Sequence, residues 1–204
     1  MEFTRRLSRL SRHRDFRRLV LVRLCGQCGD GTAQVGMASY LLFSPQSQTS
    51  AWAVVGVLAL TMLPYSLLGP FVSVLLDRFS RRRISVLVDV TRTVCSLALA
   101  AMIAAHRTGG GASVVLAVLL LVMLSLNRFT LAGLQAGLAG TVEEAEYLEA
   151  SSIMPMIGPL AALVGGAAAG AIRLALGGPL GPDAANGLIF VLAAVLFVGA
   201  AGTA

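Results

Sequence analysis

The sequence predicts an all-α protein that crosses a membrane several times. Of its 204 residues, 56% are hydrophobic and only 13% are charged, and the mean hydropathy is +0.81. Soluble globular domains carry about 25% charged residues. The apolar residues also fall into segments of about 20 or more, which is the length a helix needs to cross a bilayer. Because a spanning segment must satisfy its backbone hydrogen bonds internally, we expect a polytopic helical bundle.

Six segments are predicted to be transmembrane helices, and polar or glycine-rich connections separate them. A basic tail, residues 1–15, precedes the first and is predicted to lie on the cytoplasmic surface. Three arginines end the connection before the third span, glycines precede the fourth, and an acidic loop at 143–149 precedes the fifth. Prolines in the second and fifth spans are compatible with membrane helices. The predicted spans are 16–43, 51–76, 84–106, 113–140, 151–176 and 186–204.

The placement of positive charge predicts the orientation. All 16 basic residues are arginines, and eight of them lie between Arg5 and Arg23. Others crowd the 77–83 connection, whereas the connections at 44–50 and 177–183 have none. Since cytoplasmic loops carry the excess of arginine, we expect the N-terminus in the cytoplasm and the protein in the cell membrane. Arginines beside apolar helices indicate anionic lipid headgroups as their partner, so no nucleic acid is expected.

A polar stripe follows the first predicted helix. Arg23, Gln27, Asp30 and Gln34 are spaced i, i+4, i+7 and i+11, which places them on one helix face. Arg23 can extend to the headgroups, whereas Asp30 lies too deep for that. Polar groups in hydrocarbon are costly, so the stripe is predicted to face protein or water. Two interpretations of Asp30 stay open: a cavity-lining, ion-coupling carboxylate, or a purely structural one.

Two further predicted helices carry polar side chains. The fourth has Asn127, Arg128 and, one heptad later, Gln135, and Arg128 is the natural partner for Asp30. Such a pair acts as a proton switch if it opens, or holds two helices in register if it does not. In the third helix, Asp89 and Arg92 share a face and are predicted to join a charge network with the arginines at the cytoplasmic end.

The sequence gives little support for an enzyme active site or a metal site. Cys25 and Cys28 have a Cys-x-x-Cys spacing, but no second Cys/His pair accompanies them, so no metal site or cofactor is predicted. The two histidines, His13 and His106, lie at membrane edges, where they form no nucleophile and base pair within the bundle. Close helix packing is the simplest reading of the glycine-rich stretches.

The connection before the third helix carries the motif with the clearest resemblance. Ser73 to Arg82 aligns with the pattern Gly-x-x-x-Asp-Arg-x-Gly-Arg/Lys-Arg/Lys of the major facilitator superfamily of transporters, with serine in place of both glycines. The chain resembles the N-terminal half of an efflux-type member of that superfamily. Arg128 is similar to the fourth-helix arginine of its proton antiporters, although the Gln-Gly expected after it is missing. Gly158, Pro159, Gly165 and Gly166 are similar to a stretched form of the antiporter motif of the fifth helix. The matched loop residues are Asp77, Arg78, Arg81 and Arg82.

The resemblance implies alternating access by two six-helix halves, with a small-molecule substrate and with proton coupling in place of a cofactor. It places Asp77 at the inner gate and the first and fourth helices along the cavity. One half is present here, so we expect a second six-helix half, from the same full-length chain or from a dimer mate. A non-transporting scaffold, a degenerate half-transporter and, less expected, an intramembrane enzyme are the alternatives.

Overall fold

The computed structural model describes residues 13–43, 80–105, 111–138 and 140–204, and within these ranges the secondary structure consists of five helices. The predicted helical class is confirmed for this part of the chain. The second predicted span, 51–76, and residues 1–12 of the tail lie outside the described residues. The helices are α1 (Arg14–Phe43), α2 (Arg81–Ala104), α3 (Gly111–Leu138), α4 (Glu144–Leu176) and α5 (Pro182–Thr203).

Four of the described helices, α2 to α5, are long and apolar enough to cross a membrane. Helix α1 has 30 residues, about 45 Å at the α-helical rise, so its length also suffices. Its polar stripe interrupts the apolar stretch, which is why it is less hydrophobic than the others. A polar stripe and a lower hydrophobicity are both expected of a helix that is surrounded by protein more than by lipid.

Helix α4 begins at Glu144, seven residues before the predicted fifth span, and therefore includes most of the expected acidic loop. Glu146 in the first turn interacts favourably with the positive end of the helix dipole, which favours this early start. Helix α5 begins at Pro182, whose missing N–H is not needed at a first helical position. Gly181 before it has a φ of 84°, a left-handed conformation that glycine adopts without strain.

The described helices run in two opposite directions between the two ends of the bundle. Asp15 of α1, Arg82 of α2, Gly137 of α3 and the C-terminal Ala204 line one cavity. His13 lies 3.0 Å from Glu146, which brings the start of α4 to the same end. This end is called the arginine-rich end below. Helices α1, α2 and α4 therefore begin there, and α3 and α5 end there.

Helix α1 lies at the centre and packs most extensively against α4 and α5. The backbones of α1 and α4 pass very close to each other. A Cβ at Gly31 would overlap the carbonyl oxygen of Ala162, and a Cβ at Gly165 would overlap that of Cys28. Such small residues let two backbones approach in a membrane. On the other side, Phe197 of α5 is fully buried in the main apolar core.

Candidate functional site

Asp30, in the middle of α1, is the centre of a buried polar network. Only 6% of the residue is exposed. Its Oδ1 accepts a hydrogen bond from Nη2 of Arg92 on α2. Its Oδ2 accepts one from Nε2 of Gln27, one turn earlier, at 3.0 Å. Both carboxylate oxygens are therefore hydrogen-bonded inside the bundle. A buried carboxylate needs such bonds, because leaving its oxygens unpaired away from water is costly.

Arg92 connects two carboxylates. Its Nη1 donates to Oδ1 of Asp89 at 3.2 Å, and both Arg92 and Asp89 are 0% exposed. The guanidinium carbon lies 4.1 Å from the centroid of the Phe197 ring on α5, a cation–π contact. Since a planar guanidinium offers several donors in fixed directions, one arginine can join α1, α2 and α5.

The network extends to α3 through amide side chains. Nε2 of Gln27 also donates to Oδ1 of Asn127, at 3.0 Å. Next to these groups, Asp30 and Gln34 line a small cavity of about 20 Å³ together with methionines and leucines. That volume is enough for one water molecule, and the polar wall offers it partners. One edge of the buried network is therefore adjacent to a space that can hold water.

Arg23, a further member of the stripe, is 6% exposed and lies against α4. A Cβ at Gly158 would lie 3.1 Å from its Nη2 and 3.3 Å from its Nε. Glycine at this position therefore leaves room for the guanidinium. Its Nε finds no hydrogen-bond partner among the described residues. Two predicted features, the stripe and the glycine motif of the fifth span, meet here.

The other glycines of that motif contact α1 as well. A Cβ at Gly166 would lie 3.1 Å from Val35. Thr32, fully buried, shares its hydroxyl hydrogen between the carbonyl oxygens of Cys28, at 2.9 Å, and Gly165, at 3.1 Å. Pro159 is exposed. In the described residues, the motif serves to bring α4 close to α1.

A second polar cluster joins α1, α4 and α5 at the end of the bundle opposite to the arginine-rich end. Nε of Arg173 on α4 donates to Oγ of Ser39 at 2.9 Å. Ser39 in turn donates to Oδ1 of Asn186 on α5 at 3.0 Å. Sequence reasoning missed Asn186 and Thr32. Asn186 stood at the predicted edge of the sixth span, yet a buried amide in an apolar helix is a signal of the same kind as Gln27.

At the arginine-rich end, the helix termini enclose a larger cavity of about 250 Å³. Its outer wall carries exposed charged side chains, and its inner wall is mainly apolar, with Ser85 and Thr130 among the lining residues. Oγ of Ser85 is buried without a partner among the described residues. The described lining residues are Asp15, Arg18, Leu19, Val22, Arg82, Ile84, Ser85, Val88, Phe129, Thr130, Gly133, Leu134, Gly137 and Ala204.

The structure regroups the predicted site residues. Asp30 and Arg92, assigned to separate groups from the sequence, form one network, and Asp89 lies inside the bundle with them. Arg82 is exposed, and Gln135 is exposed on α3. Asp77 and Arg78 lie outside the described residues, as do the side chains of Arg81 and Arg128, so the proposed Asp30–Arg128 pair stays a prediction.

In this arrangement two carboxylates share one guanidinium, so the charge on each carboxylate affects how strongly the other attracts Arg92. Among the residues that the structure describes, no three His, Cys, Asp or Glu side chains are grouped as metal ligands would be. The three cysteines, Cys25, Cys28 and Cys95, are free thiols.

Comparison with known proteins relates this chain to membrane transporters. It is 36% identical over 179 residues to two proteins named uncharacterized MFS-type transporters, one from Mycobacterium bovis and one from Mycobacterium tuberculosis. The matched region is 88% of this chain but 39% of each relative, so the chain spans about two fifths of the length of these curated relatives. No protein-family model matches the sequence. No solved structure matches it either.

The similarity supports the predicted resemblance to the major facilitator superfamily. Together with four described helices that are long and apolar enough to span a bilayer, it indicates a multi-pass helical membrane protein.

Proposed function

We propose that this chain is the N-terminal six-helix half of a major facilitator superfamily transporter, which moves a small solute across the cell membrane by alternating access. The relatives named as MFS-type transporters support the family, and their greater length supports a second half. In such transporters two helical halves rock about a site near the middle of the membrane. The proposed partners are a small-molecule substrate, the lipid bilayer and the second half, from the same chain or from a dimer mate. The protein is proposed to be a transporter and not an enzyme.

The direction of the helices supports six spans with a cytoplasmic N-terminus. Helices α1 and α2 both begin at the arginine-rich end, which agrees with one further span between them in the sequence. The predicted span 51–76 is long enough for that crossing. Arginines gathered at one end favour the cytoplasmic side for that end.

The buried contact of Asp30 with Arg92 carries the proposal of ion coupling. Replacing a buried ion pair by apolar residues is often neutral or stabilising, so this pair is poorly explained by stability alone. Ionisable groups inside a membrane mark ion or substrate pathways as a rule. Asp30 also lines a cavity large enough for water. These features support the proposal of proton coupling, whereas the proposal of efflux rests on the resemblance of the sequence alone.

Inverted membrane vesicles that contain the natively expressed protein test this function. The vesicles are acidified inside by respiration, a panel of small solutes is added, and the pH gradient is followed with an acridine dye. We expect at least one solute to discharge the gradient in vesicles with the native protein and not in vesicles with Asp30→Asn. Glu143→Gln is the matched control, because Glu143 is exposed and makes no side-chain capping bond.

Equal discharge by the native protein and Asp30→Asn would contradict ion coupling through Asp30. A second variant, Asp77→Asn, tests the resemblance to the superfamily: insertion is expected to persist and transport to be lost, because the resemblance places Asp77 at the inner gate. If neither change alters any phenotype of the protein, the non-transporting scaffold is the better explanation.

A further inference from the structure

Asp89 has the one carboxylate oxygen in the network that lacks a partner among the described residues. Its Oδ1 accepts from Arg92 at 3.2 Å, but its Oδ2 is buried and unbonded. Asp30 differs, because Arg92 and Gln27 bond both of its oxygens. The two carboxylates are therefore unequal, and Asp89 is the one whose negative charge is poorly satisfied.

Among the described groups that pair with Arg92, the charges do not balance when both carboxylates are ionised. Arg92, on the same helix as Asp89, supplies one positive charge, and Asp30 on α1 supplies a second negative one. Cys25 of α1 is near enough to Asp89 to interact electrostatically. Phe197 of α5, whose ring lies against Arg92, has no titratable group. An excess buried charge is costly, so such a group takes up a proton instead.

Ser85 connects this position to the large cavity at the arginine-rich end. Ser85 and Asp89 are four residues apart on α2, which puts their Cβ atoms about 5–6 Å from each other on one helix face. Ser85 lines the cavity of about 250 Å³, as does Val88 beside Asp89. A serine hydroxyl both donates and accepts hydrogen bonds. Oγ of Ser85 and Oδ2 of Asp89 thus lie on one face of α2, and both are buried without a partner among the described residues.

We propose that Asp89 is the proton-carrying residue of the network and that it exchanges its proton with water in this cavity through Ser85. In the uptake step, hydronium gives a proton to Oδ2 of Asp89, an O–H bond forms, and water remains; release is the reverse. Protonation removes the negative charge that competes with Asp30 for Arg92. Arg92 is then held mainly by α1, so the proton changes how firmly α1 and α2 are linked. This inference rests on the proposed ion-coupled function.

Infrared difference spectroscopy of the purified, natively expressed protein in lipid tests the proton site without a transport substrate. A protonated carboxyl group has a C=O stretch that a carboxylate lacks. On acidification, we expect a buried carboxyl band in the native protein and its loss in Asp89→Asn. In Asp30→Asn, where Arg92 serves only Asp89, the band is expected to form at a lower pH than in the native protein. Glu143→Gln serves as the control for an exposed carboxylate. A band that persists in Asp89→Asn would overturn the assignment.

Thiol labelling tests the route and remains available if Asp89→Asn does not fold. Ser85→Cys is treated with a membrane-impermeant thiol reagent in inverted vesicles, and the background from native cysteines is measured in the parent protein. Ser96→Cys is the matched control, because Ser96 is 0% exposed on the same helix and donates to Met123. We expect Ser85→Cys to react several-fold faster than Ser96→Cys. Equally slow reaction would mean that another part of the protein fills the cavity, and the route would be overturned.

These outcomes are separable from the proposed function. If the labelling or the infrared experiment contradicts the role of Asp89, the proposed transport function is still tested by comparing the native protein with Asp30→Asn in the vesicle assay. Conversely, if the protein moves none of the tested solutes, the infrared and labelling experiments still decide whether Asp89 carries a proton and whether the cavity reaches Ser85.

Discussion

Gly165→Ala is expected to destabilise the bundle because it inserts a methyl group into the closest helix contact. The new Cβ would overlap the carbonyl oxygen of Cys28 and would lie 2.9 Å from Oγ1 of Thr32. Ordinary carbon contacts are about 3.5–4 Å. A backbone oxygen cannot rotate away as a side chain can, so α1 and α4 have to separate by roughly an ångström. Gly170→Ala is the matched control on the same helix, since nothing lies within 4 Å of its Cβ position.

The magnitude follows from three contributions. Overpacking against backbone is expected at the upper end of its range, about 3 kcal/mol. Moving Gly165 away also weakens the hydrogen bond from Thr32, worth about 0.6 kcal/mol in a membrane protein. Alanine gains about 1 kcal/mol over glycine in helix propensity. The net loss for Gly165→Ala is about 2–3 kcal/mol, whereas Gly170→Ala is expected to be neutral or to gain up to about 1 kcal/mol.

The assay is the apparent unfolding midpoint in mild detergent, read as the loss of the monodisperse size-exclusion peak after heating. At about 2–4 °C per kcal/mol for a chain of this size, Gly165→Ala is expected to unfold about 4–12 °C below the native protein. Gly170→Ala is expected at or slightly above the native midpoint. Equal midpoints for the two variants would refute the close α1–α4 contact.

Three further predictions use the same heating assay. Arg92→Met leaves two buried carboxylates without their cation and is expected to lower the free energy of unfolding by about 3–5 kcal/mol. Adding Asp89→Asn to this variant is expected to restore part of the loss. No restoration would argue against the shared guanidinium. Phe197→Leu removes the ring next to Arg92 and is expected to lose about 0.5–2 kcal/mol in cation–π energy in addition to packing, so a midpoint as high as that of the native protein would speak against the contact. His13→Ala breaks the partly exposed pair with Glu146 and is expected to cost no more than about 1 kcal/mol, because solvent screens such pairs; a large drop would show that this contact matters more than its exposure suggests.

Much of the local structure was predictable from residue patterns. Long apolar segments indicated the helices, and the i, i+4, i+7, i+11 spacing placed Arg23, Gln27, Asp30 and Gln34 on one face. The structure shows the first three to be buried and Gln34 to be exposed. The start of α4 was not predicted, because hydropathy reports where lipid begins and the acidic first turn lies before that point. The second predicted span stays a prediction.

The sequence by itself therefore determined the class of the protein and the inward face of α1, since both depend on composition and on the period of a single helix. Only the tertiary structure decided which charges meet. Helical periodicity places Arg92 and Asp89 on a face of α2, but it does not say which neighbouring helix that face contacts or at what depth. That choice depends on how closely the backbones pass, and Gly31 and Gly165 set this distance where α1 crosses α4, while Phe197 sets it at α5. The pairing of Asp30 with Arg92 is thus a result of packing between helices far apart in the chain.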